Sequence, residues 1–510
     1  MKRYACVVVL ACGGFAPPAP ADQPPDPAAL PPPPPFLRPG FDAIEEADLR
    51  AWVGFLASPE LEGRESGTRG YDVAARYAAT LFERYGLKPA GDAGSFYHAL
   101  DLHRSEVDGA SSGLDIEDPT GKDHLGFEGN LALRDLTEMG WTQDWCFAGH
   151  GEGAAEDAPD DFAGLPVRER VVLVLPRPGK NRYESRAALA AGATRIAIVS
   201  DERVRRREGL SSREWPAHRN PPAADPSQPS VVFISGAAAD RILRSRSVSV
   251  AELLKLDGRL PRFPLDGVKV RLTVRRKTAV RTTHNVVGIL DGSDPVLRGE
   301  VVGIGAHLDH VGVNGGKVYL GADDDASGTA GVLALARAFT AGPRRPARSL
   351  VFMLFAAEEK GLWGSRHFVE RGPIPLDRFY AEFQMDMIGR NEEVRNKDKP
   401  EDNTNSVHVV GAERHSRDMH RAVLSANKLV GLDLEYDEES LYHRSDHYSF
   451  GEKGIPIAFF CTGFHPDYHR PTDTPDKINY AKMTRIVRLV FAAAFEIADR
   501  REPLRKLGRR

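Results

Sequence analysis

The sequence has little cysteine, no excess of positive charge and no hydrophobic run long enough to cross a bilayer. Its 510 residues include 4 cysteines, and only Cys146 and Cys461 lie beyond the N-terminal segment. No disulfide framework is indicated, and whether those two cysteines pair stays open. The net charge of -4 gives no electrostatic footprint for nucleic acid, so we expect no nucleic-acid partner. With 41% hydrophobic and 27% charged residues, the composition is that of an ordinary globular protein.

The N-terminus has the features of an export signal. Lys2 and Arg3 precede the apolar run YACVVVLACGGFA, and the small residues APA at 19–21 suit a cleavage site. These features predict a signal peptide over residues 1–21, and the run is too short for a transmembrane span. In an alternative interpretation, VLAC is a bacterial lipoprotein box and Cys12 carries a lipid anchor. Both interpretations predict an exported protein, periplasmic or extracellular.

Composition divides the remaining chain into four segments. Residues 22–40 are proline-rich and predict an extended linker, and residues 41–114 contain two amphipathic helices. Residues 115–262 predict a strand-rich inserted domain, with short apolar strands at 170–175, 195–200 and 230–235. Over 263–505, strands alternate with helices. This alternation predicts an α/β fold with a doubly wound mixed sheet flanked by helices.

Three adjacent aspartates, Asp323, Asp324 and Asp325, directly precede an apolar helix predicted at 327–339. Adjacent carboxylates repel one another, and burying an unpaired charge is costly. An acidic first turn also suits the positive end of a helix dipole, so the motif alone is compatible with a simple cap. A bound cation is the other explanation, and the rest of the sequence decides between the two.

Four further segments place carboxylates or imidazoles directly after apolar strands. They hold, in chain order, His307 with Asp309, Glu358 with Glu359, Asp386, and His465 with His469 and Asp473. Ligands of open α/β sheets gather at the carboxyl ends of the strands, so we expect these side chains at one edge of the sheet. Because so many carboxylates would repel one another there, bound cations are the better explanation.

The donor set favours a pair of zinc ions. Mixed imidazole and carboxylate ligands suit zinc, whereas calcium prefers oxygen alone. Two imidazoles and three carboxylates can hold two metal ions if one carboxylate bridges them. Asp324, the central residue of the three, is the expected bridge.

Five ordered motifs resemble those of the M28 family of zinc aminopeptidases. They are AHLDH, GADDDASG, AAEEKGLWGS, MDMIG and YHRPTDTPDKI. The resemblance spans about 270–490 and implies a zinc exopeptidase fold. Residues 41–100 resemble the N-terminal helices of the secreted bacterial branch of the family. The insertion at 115–262 resembles a protease-associated (PA) domain.

The resemblance also implies a role for each motif residue. His307 and Asp386 would hold one zinc, Glu359 and His469 the other, and Asp324 would bridge both. Asp323 and Asp325 would then not be ligands. These five ligands and two Zn2+ per chain are the implied metal site.

Four further residues receive roles from the resemblance. Glu358 would be the general base that takes a proton from the attacking water, and Asp309 would orient His307. Residues 441–450, LYHRSDHYSF, resemble the family's substrate-side loop. Tyr442 is a candidate oxyanion donor in that loop, and His443 is its competitor.

The expected activity is removal of N-terminal residues from peptides. Carboxypeptidase or glutaminyl cyclase chemistry on the same fold is the enzymatic alternative, and a non-catalytic binding homologue is a third. The intact ligand positions argue against the binding homologue. A carboxypeptidase would need a cation near the cleft, where the motifs offer only Arg444 and Arg470. Side-chain specificity cannot be predicted from these motifs.

Overall fold

The computed structural model describes residues 30–133, 138–153, 160–177, 186–200, 215–217, 230–393, 403–436 and 439–507. The chain divides into two compact units. The first is formed by the described residues up to Leu100 and from Thr283 onward, and the second is Asp101–Thr282. The predicted signal peptide over 1–21, with Cys12, lies outside the described residues.

A mixed sheet forms the centre of the first unit. Its strands lie in the spatial order Trp215–Ala217, Tyr97–Val107, Arg276–Leu290, Ser349–Phe355, Val301–His307, Phe379–Met385, Ile457–Cys461, Ser406–Val410 and Asp433–Glu435, with Lys88–Pro89 also paired to Arg276–Leu290. Val301–His307 runs parallel to both of its neighbours. The pairs toward the edges include antiparallel ones, such as Ile457–Cys461 with Ser406–Val410. The predicted mixed α/β sheet is confirmed.

Helices cover both faces of this sheet. The α-helices of the unit are Arg38–Ala43, Glu46–Leu56, Arg69–Arg84, Gly328–Ala341, Trp363–Arg371, Ala412–His415, Arg417–Asn427, His447–Gly451 and Tyr480–Asp499. The Phe352 ring lies 6.2 Å from that of Phe339, in Gly328–Ala341. The Phe355 ring lies 6.1 Å from that of Phe368 and 6.0 Å from that of Phe450. Phe352 and Phe355 are three positions apart in one strand, so they point to opposite faces.

The described residues of the second unit form two sheets of their own. The larger has the strand order Arg262–Pro264, Trp145–Ala148, Val171–Val174, Arg195–Val199, Ser230–Ile234 and Leu131–Ala132. The smaller has the order Gly121–Gly126, Gly113–Asp118, Lys269–Val274 and Met139–Trp141. Its helices include Arg186–Ala190, Gly236–Leu243 and Val250–Leu253. The three strands predicted near 170–175, 195–200 and 230–235 are present, because each is an apolar run rich in β-branched residues.

The limits of the second unit are wider than the predicted insertion at 115–262. Tyr97–Val107 and Arg276–Leu290 each begin in one unit and end in the other. These strands continue without a break in composition, so the sequence gives no signal where one unit ends. That the insertion is a PA-like domain stays a prediction.

The end of the predicted linker at 22–40 is folded, and the prediction is wrong there. Helix Arg38–Ala43 begins within it, and Gly40 and Phe41 are buried. The Phe41 ring lies 5.9 Å from that of Phe491 in the C-terminal helix. Pro39 falls in the first turn of the helix, where a missing N–H is tolerated. Apolar residues between the prolines therefore dock this segment.

Membrane-spanning helices and the pairing of the two cysteines can be examined in the described residues. Among the described residues, no helix is both long and apolar enough to cross a membrane. Cys146 and Cys461 are both buried and free.

Candidate metal centre

The strand register brings His307 and Asp386 together. Val301–His307 is buried throughout and pairs in parallel with Phe379–Met385, Gly305 lying opposite Gln384. Continuing that register places His307, the last residue of its strand, beside Asp386, the first residue after the next strand. On the other side, His307 lies opposite Phe355, three residues before Glu358. Three of the predicted segments therefore meet at one sheet edge.

Asp324 lies between two groups of side chains that could bind a metal ion, which we call the donor groups. Its Oδ1 is 3.1 Å from Nε2 of His307, which is 3.5 Å from Oδ1 of Asp386. Its Oδ2 is 3.0 Å from Nε2 of His469, which is 3.1 Å from Oε2 of Glu359. The structure thus brings together all five predicted ligand residues, with one oxygen of Asp324 facing each group. This is the arrangement expected of a bridging carboxylate.

The two aspartates beside Asp324 bond to the protein instead. Oδ1 of Asp323 accepts a hydrogen bond of 2.7 Å from the N–H of Gly389, and its Oδ2 is 3.3 Å from Nε2 of His465. Asp325 accepts hydrogen bonds from the N–H groups of Gly328 and Met387, at 2.7 and 3.2 Å. Both aspartates therefore brace the loop, in keeping with the expectation that neither is a ligand.

Asp473 holds the turn that carries these aspartates. Its carboxylate accepts hydrogen bonds from the N–H groups of Asp323, at 3.0 Å, and Asp324, at 3.2 Å. His465 and Asp473, both predicted to lie at this edge, are therefore present as supports of the loop.

Asp309 contacts His307 mainly through its backbone. Nδ1 of His307 lies 3.1 Å from the carbonyl oxygen of Asp309 but 3.8 Å from the nearest carboxylate oxygen. The Asp309 carboxylate instead accepts a hydrogen bond of 3.1 Å from the N–H of Glu358. Asp309 thus fixes the tautomer of His307 through a carbonyl and holds the backbone of Glu358 through its side chain.

His310, which the sequence interpretation missed, belongs to the second group. Its Nδ1 is 2.8 Å from Oε1 of Glu359 and 3.8 Å from Oδ2 of Asp324. The residue stands at the end of the AHLDH motif, three positions after His307. The available signal was a second imidazole directly after a buried strand.

The converging side chains have the properties of an ion site. Among the described residues, Nδ1 of His310, Oδ2 of Asp324, Oε1 of Glu359 and Oδ1 of Asp386 are buried without a hydrogen-bond partner. Buried polar atoms are normally hydrogen-bonded, so these four atoms require another partner. Nitrogen and carboxylate donors in such groups fit a divalent ion of the zinc type.

The surroundings shift the pKa values of the Asp324 and Glu358 carboxyl groups in opposite directions. Burial opposes ionisation of Asp324, but the adjacent imidazoles of His307 and His469 hold its pKa well below the usual range. Burial raises the pKa of the Glu358 carboxyl well above its usual range; His307 opposes that shift and the Asp386 carboxylate adds to it. One carboxylate is thus stabilised as an anion, and the other holds a proton readily.

Backbone strain concentrates beside the donor groups. Ala357, Met387 and His469 adopt left-handed φ values of 55°, 57° and 51°. Such values are uncommon for residues other than glycine and persist where the surrounding structure enforces them. Ala357 precedes Glu358, Met387 follows Asp386, and His469 is itself a predicted ligand. The strain therefore lies at the candidate site.

The predicted substrate residues have contacts of their own. The Tyr442 hydroxyl lies 2.7 Å from Nε2 of His415. The Arg414 guanidinium carbon lies 4.1 Å from the centre of the Tyr442 ring. His443 packs edge-on against Tyr448, with ring centres 4.7 Å apart. None of these contacts involves the donor groups, so the roles of Tyr442 and His443 stay predictions.

Comparison with known proteins finds a peptidase family and several aminopeptidases among the matches. Residues 285–494 match the family described as Peptidase family M28. Aminopeptidase YwaD of Bacillus subtilis (strain 168) is 27% identical over 281 residues, 51% of this chain and 57% of that protein. A probable leucine aminopeptidase of Trichophyton verrucosum (strain HKI 0517) is 28% identical over 208 residues, 39% of this chain and 54% of that protein. The chain thus spans about half the length of these curated relatives.

A solved structure shares the fold across most of the chain. The aminopeptidase from Aneurinibacillus sp. strain AM-1 aligns with 92% of this chain and 97% of its own, at a TM-score of 0.51 and 21% identity. At that identity the likeness concerns the fold. The α/β architecture predicted from the sequence therefore has a counterpart in a known structure.

Proposed function

Because the chain belongs to peptidase family M28 through residues 285–494, we propose that it is a two-zinc aminopeptidase that removes N-terminal residues from peptides. The observation that carries this proposal is the position of Asp324, one oxygen of which faces His307 and the other His469. The aminopeptidase names of the relatives support the same activity.

The chain's own residues would hold the two ions in two groups that share Asp324. His307 and Asp386 would bind one zinc, Glu359 and His469 the other, and Asp324 both. Zinc bound there would supply Lewis acidity, which polarises the scissile carbonyl and makes water more acidic. The buried donor atoms without hydrogen-bond partners support this assignment.

Glu358 is the proposed general base. It takes a proton from the attacking water and then gives it to the amine nitrogen of the shortened peptide. A group that transfers a proton in both directions needs a pKa near the working pH, and burial shifts Glu358 upward in that direction. Asp309 keeps Glu358 in place through the hydrogen bond to its N–H.

The proposed substrate is recognised by its free α-ammonium group. A carboxylate-rich edge can hold that group by charge-assisted hydrogen bonds. The two arginines that a carboxypeptidase would use offer less support. The Arg444 guanidinium lies 5.1 Å from the centre of the Phe464 ring and donates to the Tyr468 hydroxyl at 3.4 Å, and Arg470 is exposed. We therefore favour the amino-terminal end.

The proposal includes export of the enzyme. The predicted signal peptide, with or without a lipid at Cys12, would deliver the enzyme to the periplasm or the extracellular space, where peptides are its substrates. The second unit would affect access of longer peptides and contribute no metal ligand, since all the donor residues lie in the first unit.

A pair of modified peptides tests the activity. N-acetylating a good substrate should abolish cleavage, whereas amidating its C-terminus should be tolerated, both followed by mass spectrometry of the products. The reverse pattern would indicate a carboxypeptidase and would refute the proposal.

A further inference from the structure

His310 is seated in the metal centre as firmly as the predicted ligands. Its side chain is fully buried, and its backbone N–H donates a hydrogen bond of 3.3 Å to the carbonyl oxygen of Arg64. Gly321 lies directly against its ring: a Cβ at that position would be 2.4 Å from Cγ of His310. Glycine at 321 thus leaves space that the imidazole occupies.

The contact of His310 with Glu359 is short but is not a hydrogen bond. Nδ1 of His310 and Oε1 of Glu359 are 2.8 Å apart, and neither atom has a hydrogen-bond partner among the described residues. A hydrogen bond requires a suitable angle as well as a short distance. Two lone pairs that point at a common ion give a short distance without that angle.

The spacing of the donor atoms is close to that around one tetrahedral ion, with one oxygen of Glu359 facing each imidazole. With zinc bonds of about 2.0–2.1 Å, ligand atoms in a tetrahedral site are about 3.3 Å apart. His310 Nδ1 is 2.8 Å from Glu359 and 3.8 Å from Asp324. His469 Nε2 is 3.0 Å from Asp324 and 3.1 Å from Glu359. The imidazoles themselves lie with ring centres 5.8 Å apart.

We propose that Nδ1 of His310 is a fourth protein donor at the metal position formed by Asp324, Glu359 and His469. The inference rests on the proposed two-metal function and deepens it. The other position keeps three protein donors, from His307, Asp324 and Asp386. Zinc sites with four protein donors are typically structural, and those with three keep an open place for reaction.

The two metal positions would then have different roles. The four-donor position holds its ion tightly and fixes the bridge, and the three-donor position faces the reaction. Asp309 supports this division, since its carbonyl contacts His307 and its carboxylate holds the backbone of Glu358. Asp309 thus positions both the proposed base, Glu358, and His307, a ligand of the three-donor position.

X-ray absorption at the zinc edge tests the proposal without any substitution. Metal-free protein is loaded with one and then two equivalents of zinc, and the imidazoles around the ion are counted. With one equivalent in the four-donor position, we expect two imidazoles on that zinc. With two equivalents, we expect three imidazoles shared by two ions. One imidazole per zinc at both loadings would overturn the proposal.

His310→Ala supplies the second arm, measured by competition with a zinc chelator. Loss of a ligand should weaken the tighter site more than about 100-fold, since loss of an outer partner already weakens metal binding roughly 10- to 100-fold. The imidazole count at one equivalent should fall to one. His98→Ala is the control, because His98 is also a buried imidazole of this unit but stacks on His367, with ring centres 4.9 Å apart, and belongs to neither donor group.

The His310→Ala result distinguishes a metal ligand from a residue that only positions Glu359. A smaller loss of affinity in His310→Ala with an unchanged imidazole count would mean that His310 only positions Glu359, and the proposal would be wrong. If the alanine variant does not fold, His310→Asn replaces it and should show the same lowered count. Wild-type protein with three imidazoles on two zinc ions but no aminopeptidase activity would refute the proposed function and leave the His310 assignment standing.

Discussion

The guanidinium of Arg64 donates a hydrogen bond of 3.0 Å to the carbonyl oxygen of Gly321, three residues before the shared carboxylate of Asp324. It also donates to the carbonyls of Leu320, at 2.7 Å, and Leu308, at 3.0 Å. Leu308 follows the strand that ends in His307, so one buried side chain ties together two ligand loops. Burial lowers the pKa of Arg64 to about 10, against the opposing effect of nearby aspartates. Arg64 is therefore a positioning residue.

Arg64→Lys should weaken zinc binding about 10- to 100-fold, the range found when outer partners of metal ligands are removed. Lysine keeps the positive charge but cannot make several bonds in fixed directions, so it leaves carbonyls unpaired. Each unpaired buried group costs about 1–3 kcal/mol of folding free energy. Zinc competition and thermal unfolding measure the two effects.

Arg50→Lys is the matched control for this change. Arg50 pairs with Glu46 at 2.9 Å on an exposed helix face, where such a pair contributes little. Wild-type zinc affinity in Arg64→Lys would show that the hydrogen bonds to the ligand loops do not position the ligands.

Much of the metal centre follows from the sequence because its strands are parallel and adjacent. His307 and Asp386 end neighbouring strands, so a correct strand assignment is enough to bring them together. Asp324 could be selected from three aspartates by the motif resemblance, and its neighbours bond to backbone N–H groups. Local patterns thus contain the information for these contacts.

Other features depend on packing that no local pattern reveals. His310 looks like a loop residue in sequence, yet its ring lies against Gly321 and its backbone N–H donates to Arg64, which is distant along the chain. Tyr442 was placed at the substrate by motif, yet its hydroxyl contacts His415. The fold of residues 38–43 depends on an aromatic contact with the C-terminal helix. Long-range contacts of this kind had to be observed.

Glu358→Gln should keep both metal ions and lose most of kcat. Removing a general base typically lowers the rate about 10²- to 10⁴-fold, and the side chain of Glu358 is not in either donor group. Glu359→Gln is the paired variant and should lose zinc, because Glu359 lies 3.1 Å from His469 and 2.8 Å from His310. Steady-state kinetics and elemental analysis on the same samples give both results. Zinc loss in Glu358→Gln with retention in Glu359→Gln would reverse the two roles.

Replacing Asp101–Thr282 with a short linker should leave zinc binding intact. Every donor residue lies outside that unit, and its ends are close, since Oγ1 of Thr282 donates to Oδ1 of Asp101 at 2.9 Å. Activity on longer peptides should change more than activity on small amide substrates. A shortened chain that folds, judged by circular dichroism, but binds fewer zinc ions would show that the second unit supplies a ligand.

The zinc content of wild type and two aspartate variants tests the shared carboxylate most directly. Asp324 contributes an oxygen to each donor group, whereas Asp386 belongs to one. At a fixed free zinc concentration that saturates the wild type, elemental analysis should give two ions per chain in the wild type, one in Asp386→Asn and fewer than one in Asp324→Asn. A single zinc ion in fully active wild-type protein, or two retained in Asp324→Asn, would contradict the bridged pair.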